Sequence, residues 1–274
     1  MEVAQRGTTS DVSSTAYATV DRFQLEVAGL DNAVTMAQAD VSSGTSPYTE
    51  GFRKALKLTN GDQTSVGNTD TMRILYKFEA QDIAQSGWNH KSSSSFITLS
   101  FWIKSSVAQS FKVSLITWDG SARTYTFDTG SLSADTWTKI TKTVPGDSNN
   151  TVDNDNNLGF ELRFYQYLGT NYTDSGYTEN AWTAYQNPQT PDQTNTWYDT
   201  NDATYEIKDA ILWNGALTST EVENLYLAGS DTSHTGFTPT EKYMLAWVRP
   251  DVNVGDNLIE KMQVSITVKD GVIQ

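Results

Sequence analysis

Apolar and polar side chains alternate along several short segments of this chain, and this period of two restricts the folds that it can adopt. Residues 97–103 and 158–164 place an apolar side chain at every second position, with Glu161 and Arg163 on the opposite side. Successive side chains of a strand point to opposite faces, so the pattern is typical of antiparallel sheets with one buried face.

Weaker forms of the alternation recur along the chain. They occur at residues 52–58, 72–78, 111–116, 125–127, 205–213 and 262–268. Gly, Asn, Asp and Ser, which favour turns, separate many of these segments. The sequence therefore predicts an all-β fold, an antiparallel β-sandwich.

One segment has the pattern of a short helix. Thr218 and Glu221 have the spacing of a capping box, apolar residues follow at i, i+3 and i+4 from Val222, and Gly229 suits a helix end. A polar linker is predicted at residues 231–239. We therefore expect a sandwich over residues 1–230 and a small C-terminal β appendage or anchoring arm over residues 240–274.

Composition narrows the functional classes. The 33 acidic residues outnumber the 19 basic ones, and a net charge of −14 repels phosphate backbones, so no nucleic-acid partner is expected. No apolar run approaches the roughly 20 residues of a membrane span, so no membrane insertion is expected. The absence of cysteine excludes disulfides, thiol catalysis and Cys-based zinc sites.

Catalytic motifs are also missing. Only His90 and His234 are available for a catalytic triad or a multi-histidine metal site. Sandwich glycosidases that resemble concanavalin carry a Glu-x-Asp-x-x-Glu strand, whereas residues 206–209 read Glu-Ile-Lys-Asp with no matching third Glu. We therefore expect a binding protein and not an enzyme.

Residues 143–207 are rich in acidic and aromatic side chains, and Arg163 is their only basic residue. Aromatic rings stack on the apolar C–H face of sugars, while nearby Asn and Asp side chains bind hydroxyls. Four aromatic residues of this segment are the ligand-binding candidates: Trp182, Tyr185, Trp197 and Tyr198. The alternative is that they pack over the sandwich or lie in a subunit contact.

The Asn- and Asp-rich run at residues 147–157 supplies oxygen ligands of the kind that Ca²⁺ prefers. Asp153 and Asp155, two residues apart, are the candidate metal ligands, although the offsets are not those of an EF-hand. The alternative is a hairpin loop without metal, because Asn and Asp also favour simple turns. No other cofactor is expected.

Six blocks of the chain, in order, resemble jelly-roll modules of bacteriophage tail fibres and related virion proteins. The blocks are Gln5–Thr9 with Tyr17–Phe23, Tyr48–Lys57, Leu99–Ser105, Asp135–Lys139 with Pro145–Asp147, Asn195–Trp197, and Asn201–Ile207. The resemblance covers roughly residues 3–213 and implies that the predicted antiparallel β-sandwich is a jelly roll. Trp102 and Trp137 occupy strand positions within it and are interpreted as structural.

The end of the resemblance differs from that family. Residues 210–218 run into the predicted helix, where the family usually closes with Val-Gln-Leu-Glu after the last strand. This ending is similar to laminin-G-like and concanavalin-like sandwiches. The sandwich expectation is common to both groups, whereas the ligand is not fixed by either.

The resemblance implies a structural protein of a phage virion, located in the virion and in contact with other virion subunits. The expected role is a tail-fibre or adhesin-type module that recognises a host-surface glycan, within a homo-oligomer such as a trimer. One alternative is a capsid decoration or head-fibre protein that binds the shell. Another is a carbohydrate-binding module of a glycan-active enzyme.

Overall fold

The structure is a computed structural model that describes residues 3–218, 220, 244–247, 268–269 and 272–273. Its strands are β1 (Thr9–Val12), β2 (Phe23–Ala28), β3 (Val34–Asp40), β4 (Lys54–Thr59), β5 (Thr71–Glu79), β6 (Phe96–Ser105), β7 (Lys112–Thr117), β8 (Arg123–Asp128), β9 (Thr138–Pro145), β10 (Leu158–Leu168), β11 (Trp182–Ala184), β12 (Thr204–Asn214), β13 (Met244–Trp247), β14 (Val268–Lys269) and β15 (Val272–Ile273). Its helices are α1 (Ser46–Thr49), α2 (Ala80–Ala84) and α3 (Thr196–Asp199).

Two antiparallel sheets carry most of these strands. The first sheet has the order β1-β3-β4-β12-β6-β9, with β13 also paired to β12, and the second has the order β11-β8-β7-β10-β5-β2. The chain crosses between the sheets, since β5, β6 and β7 lie in the second, the first and the second sheet. The predicted all-β sandwich is confirmed.

The core lies between the sheets and is built by the alternation seen in the sequence. Phe101 of β6 and Phe164 of β10 are fully buried and meet edge to face, with ring centroids 5.0 Å apart. Burial of one such side chain contributes on the order of 2 kcal/mol to folding. The strands predicted at residues 97–103 and 158–164 are confirmed as parts of β6 and β10.

The sequence pattern misses five strands, and their positions explain why. β1 and β9 are the two edges of the first sheet, β2 and β11 are the two edges of the second, and β3 lies beside the edge strand β1. An edge strand contacts one neighbour only and buries less apolar surface. Its alternation is therefore weaker; in β9 only Val144 is fully buried.

The C-terminal predictions fall largely outside the described residues. The predicted linker at 231–239 and, apart from Thr218 and residue 220, the predicted helix lie there. Within residues 240–274, the described strand β13 pairs with Ile211–Trp213 of β12, and β14 pairs with β15. The division into sandwich, linker and appendage stays a prediction.

The described residues contain no helix that is long and apolar enough to cross a membrane.

A buried amide holds α3 against one end of the sandwich. The side-chain nitrogen of Asn60 donates to the backbone oxygens of Tyr198 at 2.7 Å and Thr200 at 3.2 Å. Asn60 is only 2% exposed and Tyr198 is fully buried, so water does not readily replace the amide as the donor to Tyr198. The side-chain oxygen of Gln109 accepts the backbone N–H of Trp197 at 2.8 Å.

We expect Asn60→Ala to lower the free energy of unfolding by about 2 kcal/mol, because it leaves the buried backbone oxygen of Tyr198 without a donor. Urea denaturation followed by tryptophan fluorescence measures this change. The matched control is Asn171→Ala, since Asn171 is exposed and its side chain makes no hydrogen bond to the described residues. Equal losses in the two variants would contradict the role given to Asn60.

Candidate functional site

Two of the four candidate aromatic residues are buried at the end of the sandwich. Trp197 is fully buried, and its indole N–H donates to the backbone oxygen of Thr204 at 2.9 Å. Tyr198 is also fully buried and stacks on Tyr167, with ring centroids 4.4 Å apart. Neither ring is open to a ligand, which corrects the expectation that they contact sugars and agrees with the alternative that they pack on the sandwich.

The hydroxyl of Tyr198 is held by a buried carboxylate. It donates to Oδ2 of Asp70 at 3.2 Å, and Asp70 is 4% exposed. Burial, together with the charge of Asp70, raises the pKa of Tyr198. The phenol therefore stays protonated and serves as a structural donor.

Trp182 and Tyr185 point to opposite faces of the second sheet. Trp182, in β11, is 8% exposed, and its indole N–H donates to the backbone oxygen of Pro145 at 2.6 Å. Its ring packs against that of Tyr125 in the core at 5.7 Å. Trp182 is therefore a core residue, which corrects the expectation that it contacts a ligand. Tyr185 follows β11 by one residue, is half-buried, and contacts the outer face of the sheet.

The outer face of the second sheet is polar but largely covered. Glu161 and Arg163 of β10 alternate with the core residues, as the sequence predicts, yet they are only 1% and 4% exposed. Residues 169–195, here called the covering segment, lie over this face and contact it through Tyr177, Glu179 and Gln189. The polar side of the alternation is therefore buried beneath a loop and not exposed to solvent.

Five side chains form one connected group on this face, here called the Arg163 cluster. It comprises Trp118, Glu161, Arg163, Tyr185 and Gln189. Arg163 donates through Nε to Glu161 at 2.5 Å and through Nη1 to the Tyr185 hydroxyl at 2.7 Å. The other carboxylate oxygen of Glu161 accepts the indole N–H of Trp118 at 3.0 Å.

The guanidinium of Arg163 lies beside two aromatic rings that contact each other. Its central carbon is 5.5 Å from the ring centroid of Trp118 and 5.1 Å from that of Tyr185. The two rings are 5.0 Å apart and inclined at 66°, and both are half-buried. At these distances the rings attract the cation and limit its rotation.

The remaining terminal nitrogen of Arg163, Nη2, has no hydrogen-bond partner among the described residues. It is not among the unpartnered atoms that are fully buried, although Arg163 as a whole is only 4% exposed. Burial acts to lower the pKa of Arg163, but Tyr165, Glu161 and Tyr185 outweigh it and raise that pKa. The group is therefore a fixed cation with one nitrogen that can still donate, beside two aromatic rings.

Gln189 ties the covering segment to the cluster. Its side-chain oxygen accepts Nη1 of Arg73 at 2.7 Å, and Arg163 Nη1 and the Tyr185 hydroxyl lie 3.4 Å from the same oxygen. Arg73 also forms an ion pair with Glu26. One amide oxygen thus connects β5, β10 and the covering segment.

Sequence reasoning found Tyr185 but missed the other members of the cluster. Trp118 follows β7 by one residue, where alternation gives no functional signal. Arg163 did carry a signal, because it is the only basic residue of residues 143–207. A lone cation in an acidic segment indicates a specific partner, which the structure identifies as Glu161.

The candidate calcium ligands have other hydrogen-bond partners. The carboxylate of Asp155 accepts the backbone and side-chain N–H groups of Asn157 at 3.0 and 2.6 Å, as in an Asx turn. The backbone N–H of Asp153 donates to Asp119 at 2.8 Å. Within the described residues, no three His, Asp or Glu side chains converge as metal ligands would.

The outer face of the first sheet carries a second set of tryptophans. Trp102 is 6% exposed and donates its indole N–H to Glu50 at 3.1 Å. Trp137 is half-buried, with the ammonium of Lys104 5.0 Å from its ring centroid. The carboxylate of Glu206 binds Lys104 at 3.0 Å. These contacts agree with a structural role for both tryptophans.

No family model and no curated protein matches this chain. Among solved structures, it is similar to the enzymatically active domain of tailspike protein 4 from bacteriophage CBA120, with 14% identity and a TM-score of 0.35. That match covers 54% of this chain, and the chain spans only 18% of the tailspike structure.

Two further similar structures are carbohydrate-binding modules. The family 11 module from Clostridium thermocellum, in complex with a β-1,3-1,4-mixed-linked tetrasaccharide, has 13% identity and a TM-score of 0.33 over 77% of this chain and 97% of that one. The N-terminal cellulose-binding domain of Cellulomonas fimi β-1,4-glucanase C has 11% identity and a TM-score of 0.35 over 71% and 90%. Because these identities and scores are low, function is inferred from the residues of this chain.

Proposed function

We propose that this chain is a glycan-binding jelly-roll module and that the Arg163 cluster is its binding site. The observation that carries the proposal is the placement of a guanidinium nitrogen, without an acceptor among the described residues, beside two half-buried aromatic rings. The site combines the two elements that sugar recognition needs: apolar ring faces and edges for C–H groups, and directed donors for hydroxyl oxygens.

The cluster is rigid before a ligand arrives, which favours binding. Glu161, Tyr185 and Gln189 hold the guanidinium of Arg163 through three acceptor oxygens. A side chain that is already fixed loses little rotamer entropy when it binds a ligand. The same hydrogen bonds fix the ring of Tyr185 beside the guanidinium.

The site supports binding and not hydrolysis. A glycosidase needs two carboxylic groups, one of them protonated to act as the general acid. Glu161 accepts one hydrogen bond from a guanidinium and one from an indole, so each of its carboxylate oxygens is already occupied by a donor of the protein. A carboxylate held in this way is not directed at a substrate, so the proposed activity is recognition alone.

The proposed setting is a phage virion, with the chain as a tail-fibre or adhesin-type subunit that recognises a host-surface glycan. The resemblance of the six sequence blocks supports this setting, and it also suggests contacts with other virion subunits in a homo-oligomer such as a trimer. A carbohydrate-binding module of a glycan-active enzyme would use the same site.

We expect Trp118→Ala and Tyr185→Ala each to weaken glycan binding by about tenfold, equivalent to about 1.4 kcal/mol. Each change removes one of the two rings that flank Arg163. An array of soluble oligosaccharides would identify a ligand, and titration calorimetry with that ligand would measure the affinities.

The matched controls lie on the side of the first sheet. Trp137 and Tyr48 are also half-buried, and each lies near a cation, Lys104 at 5.0 Å and Arg53 at 3.9 Å from the ring centroid. We expect Trp137→Ala and Tyr48→Ala to leave the affinity within about twofold. Loss of binding in these controls, with normal binding in the site variants, would assign the ligand to the first sheet and overturn the proposed site.

The virion setting is tested by electron microscopy of purified particles labelled with an antibody against this chain. We expect the label at the distal end of the tail. Label spread over the capsid would contradict the adhesin role and favour a decoration or head-fibre protein. Absence of label from every virion would remove the phage setting and leave the enzyme-associated module.

A further inference from the structure

We infer that the Arg163 cluster selects neutral sugars over acidic ones and that Glu161 sets this preference. The inference rests on the proposed function and names the ligand class of the same site. It follows from two features of the structure: which nitrogens of the guanidinium are already occupied, and how the charges on this face are balanced.

No pair of neighbouring nitrogens of the Arg163 guanidinium remains free to bind a carboxylate. Arginine binds a carboxylate best through two parallel N–H···O bonds from neighbouring nitrogens. Here Nε is bound to Glu161, and Nη1 is bound to Tyr185 and faces Gln189. Only Nη2 remains, and a single nitrogen suits a hydroxyl oxygen, which needs one or two donors and carries no charge.

The charge of the cation is already compensated at the site. Glu161 is 1% exposed and lies in direct contact with Arg163, so solvent does little to screen its charge. A uronate ligand would bring a second carboxylate to the same guanidinium and be repelled by the first. A neutral sugar meets no such repulsion, because the pair is neutral as a whole.

The other charged groups of the face do not reverse this balance. Arg73 is paired with Glu26, and Lys112 is paired with Asp128 and Glu179. Lys77, the cross-strand neighbour of Glu161 on β5, is exposed and makes no ion pair within 4.0 Å to the described residues. An exposed ammonium is hydrated and screened, so its attraction for an acidic sugar is small.

The test compares neutral tetrasaccharides of glucose, galactose, mannose and xylose with the corresponding tetrasaccharides of glucuronate, galacturonate and mannuronate. Affinities are measured by titration calorimetry for the full chain and for Glu161→Gln, which keeps the shape of the side chain and removes its charge. The full chain should bind its best neutral ligand at least about tenfold more tightly than any uronate, which is about 1.4 kcal/mol. Glu161→Gln should narrow this ratio by at least about fivefold.

Lys77→Gln is the matched control, because it changes the charge of the neighbouring residue by one unit, in the opposite direction, without touching the guanidinium. It should change the ratio by less than about twofold. The neutral preference of the unmodified chain is a second measurement, which stays decisive if Glu161→Gln fails to fold. Circular dichroism would establish whether each variant is folded.

The outcomes separate this inference from the function on which it rests. Binding of neutral sugars, with equal or tighter binding of uronates, would overturn the neutral preference while leaving glycan binding intact. An unchanged ratio in folded Glu161→Gln would remove Glu161 as its determinant. A chain that binds none of these sugars, nor any glycan of the array, would overturn the proposed function and this inference together.

Discussion

The second sheet is covered over most of its outer face, so the charged side chains that lie beneath the covering segment need partners from the chain itself. Most sandwich sheets leave one face in water, where charged groups are satisfied by solvent. Here Arg163 and Glu161 neutralise each other, Arg73 pairs with Glu26, and Lys112 pairs with Asp128 and Glu179. Breaking one such buried pair leaves an uncompensated charge and costs about 3–5 kcal/mol. This requirement explains both the composition of the covering segment and the rigidity of the site.

The covering segment lacks alternation because its contacts are with polar groups. Gln189 offers one oxygen to Arg73 and stands beside Arg163, and Glu179 binds Lys112 at 3.1 Å. The segment is therefore acidic and amide-rich, while the strands beneath it supply the cations. Of the acidic residues in the covering segment, Glu179 neutralises a cation of the sheet face, whereas Asp174 accepts the backbone N–H of Gly176 in its own turn.

The sequence predicted the central strands well and the site poorly, for related reasons. Alternation is strong where a strand is paired on both sides, as in β6 and β10, and weak at edges such as β9 and β11. It specifies which face a side chain takes, so Glu161 and Arg163 were placed correctly, but it cannot show what covers that face. For the same reason, Trp197 and Tyr198 were predicted to contact a ligand. Their burial depends on Asn60 and Gln109, which lie more than 80 residues earlier in the chain.

Both outer faces of the sandwich combine aromatic rings with cations, and the difference between them lies in the free donors. On the first sheet, Trp102 donates to Glu50, and Glu206 binds Lys104 beside Trp137. A lysine ammonium reorients easily and is strongly hydrated, so it imposes little geometry on a ligand. On the second sheet, the planar guanidinium of Arg163 is fixed by three acceptors and keeps one nitrogen without an acceptor among the described residues, beside two rings. A fixed donor gives directional recognition of a hydroxyl group, which is why we propose the Arg163 cluster, and not the more abundant tryptophans of the first sheet, as the site.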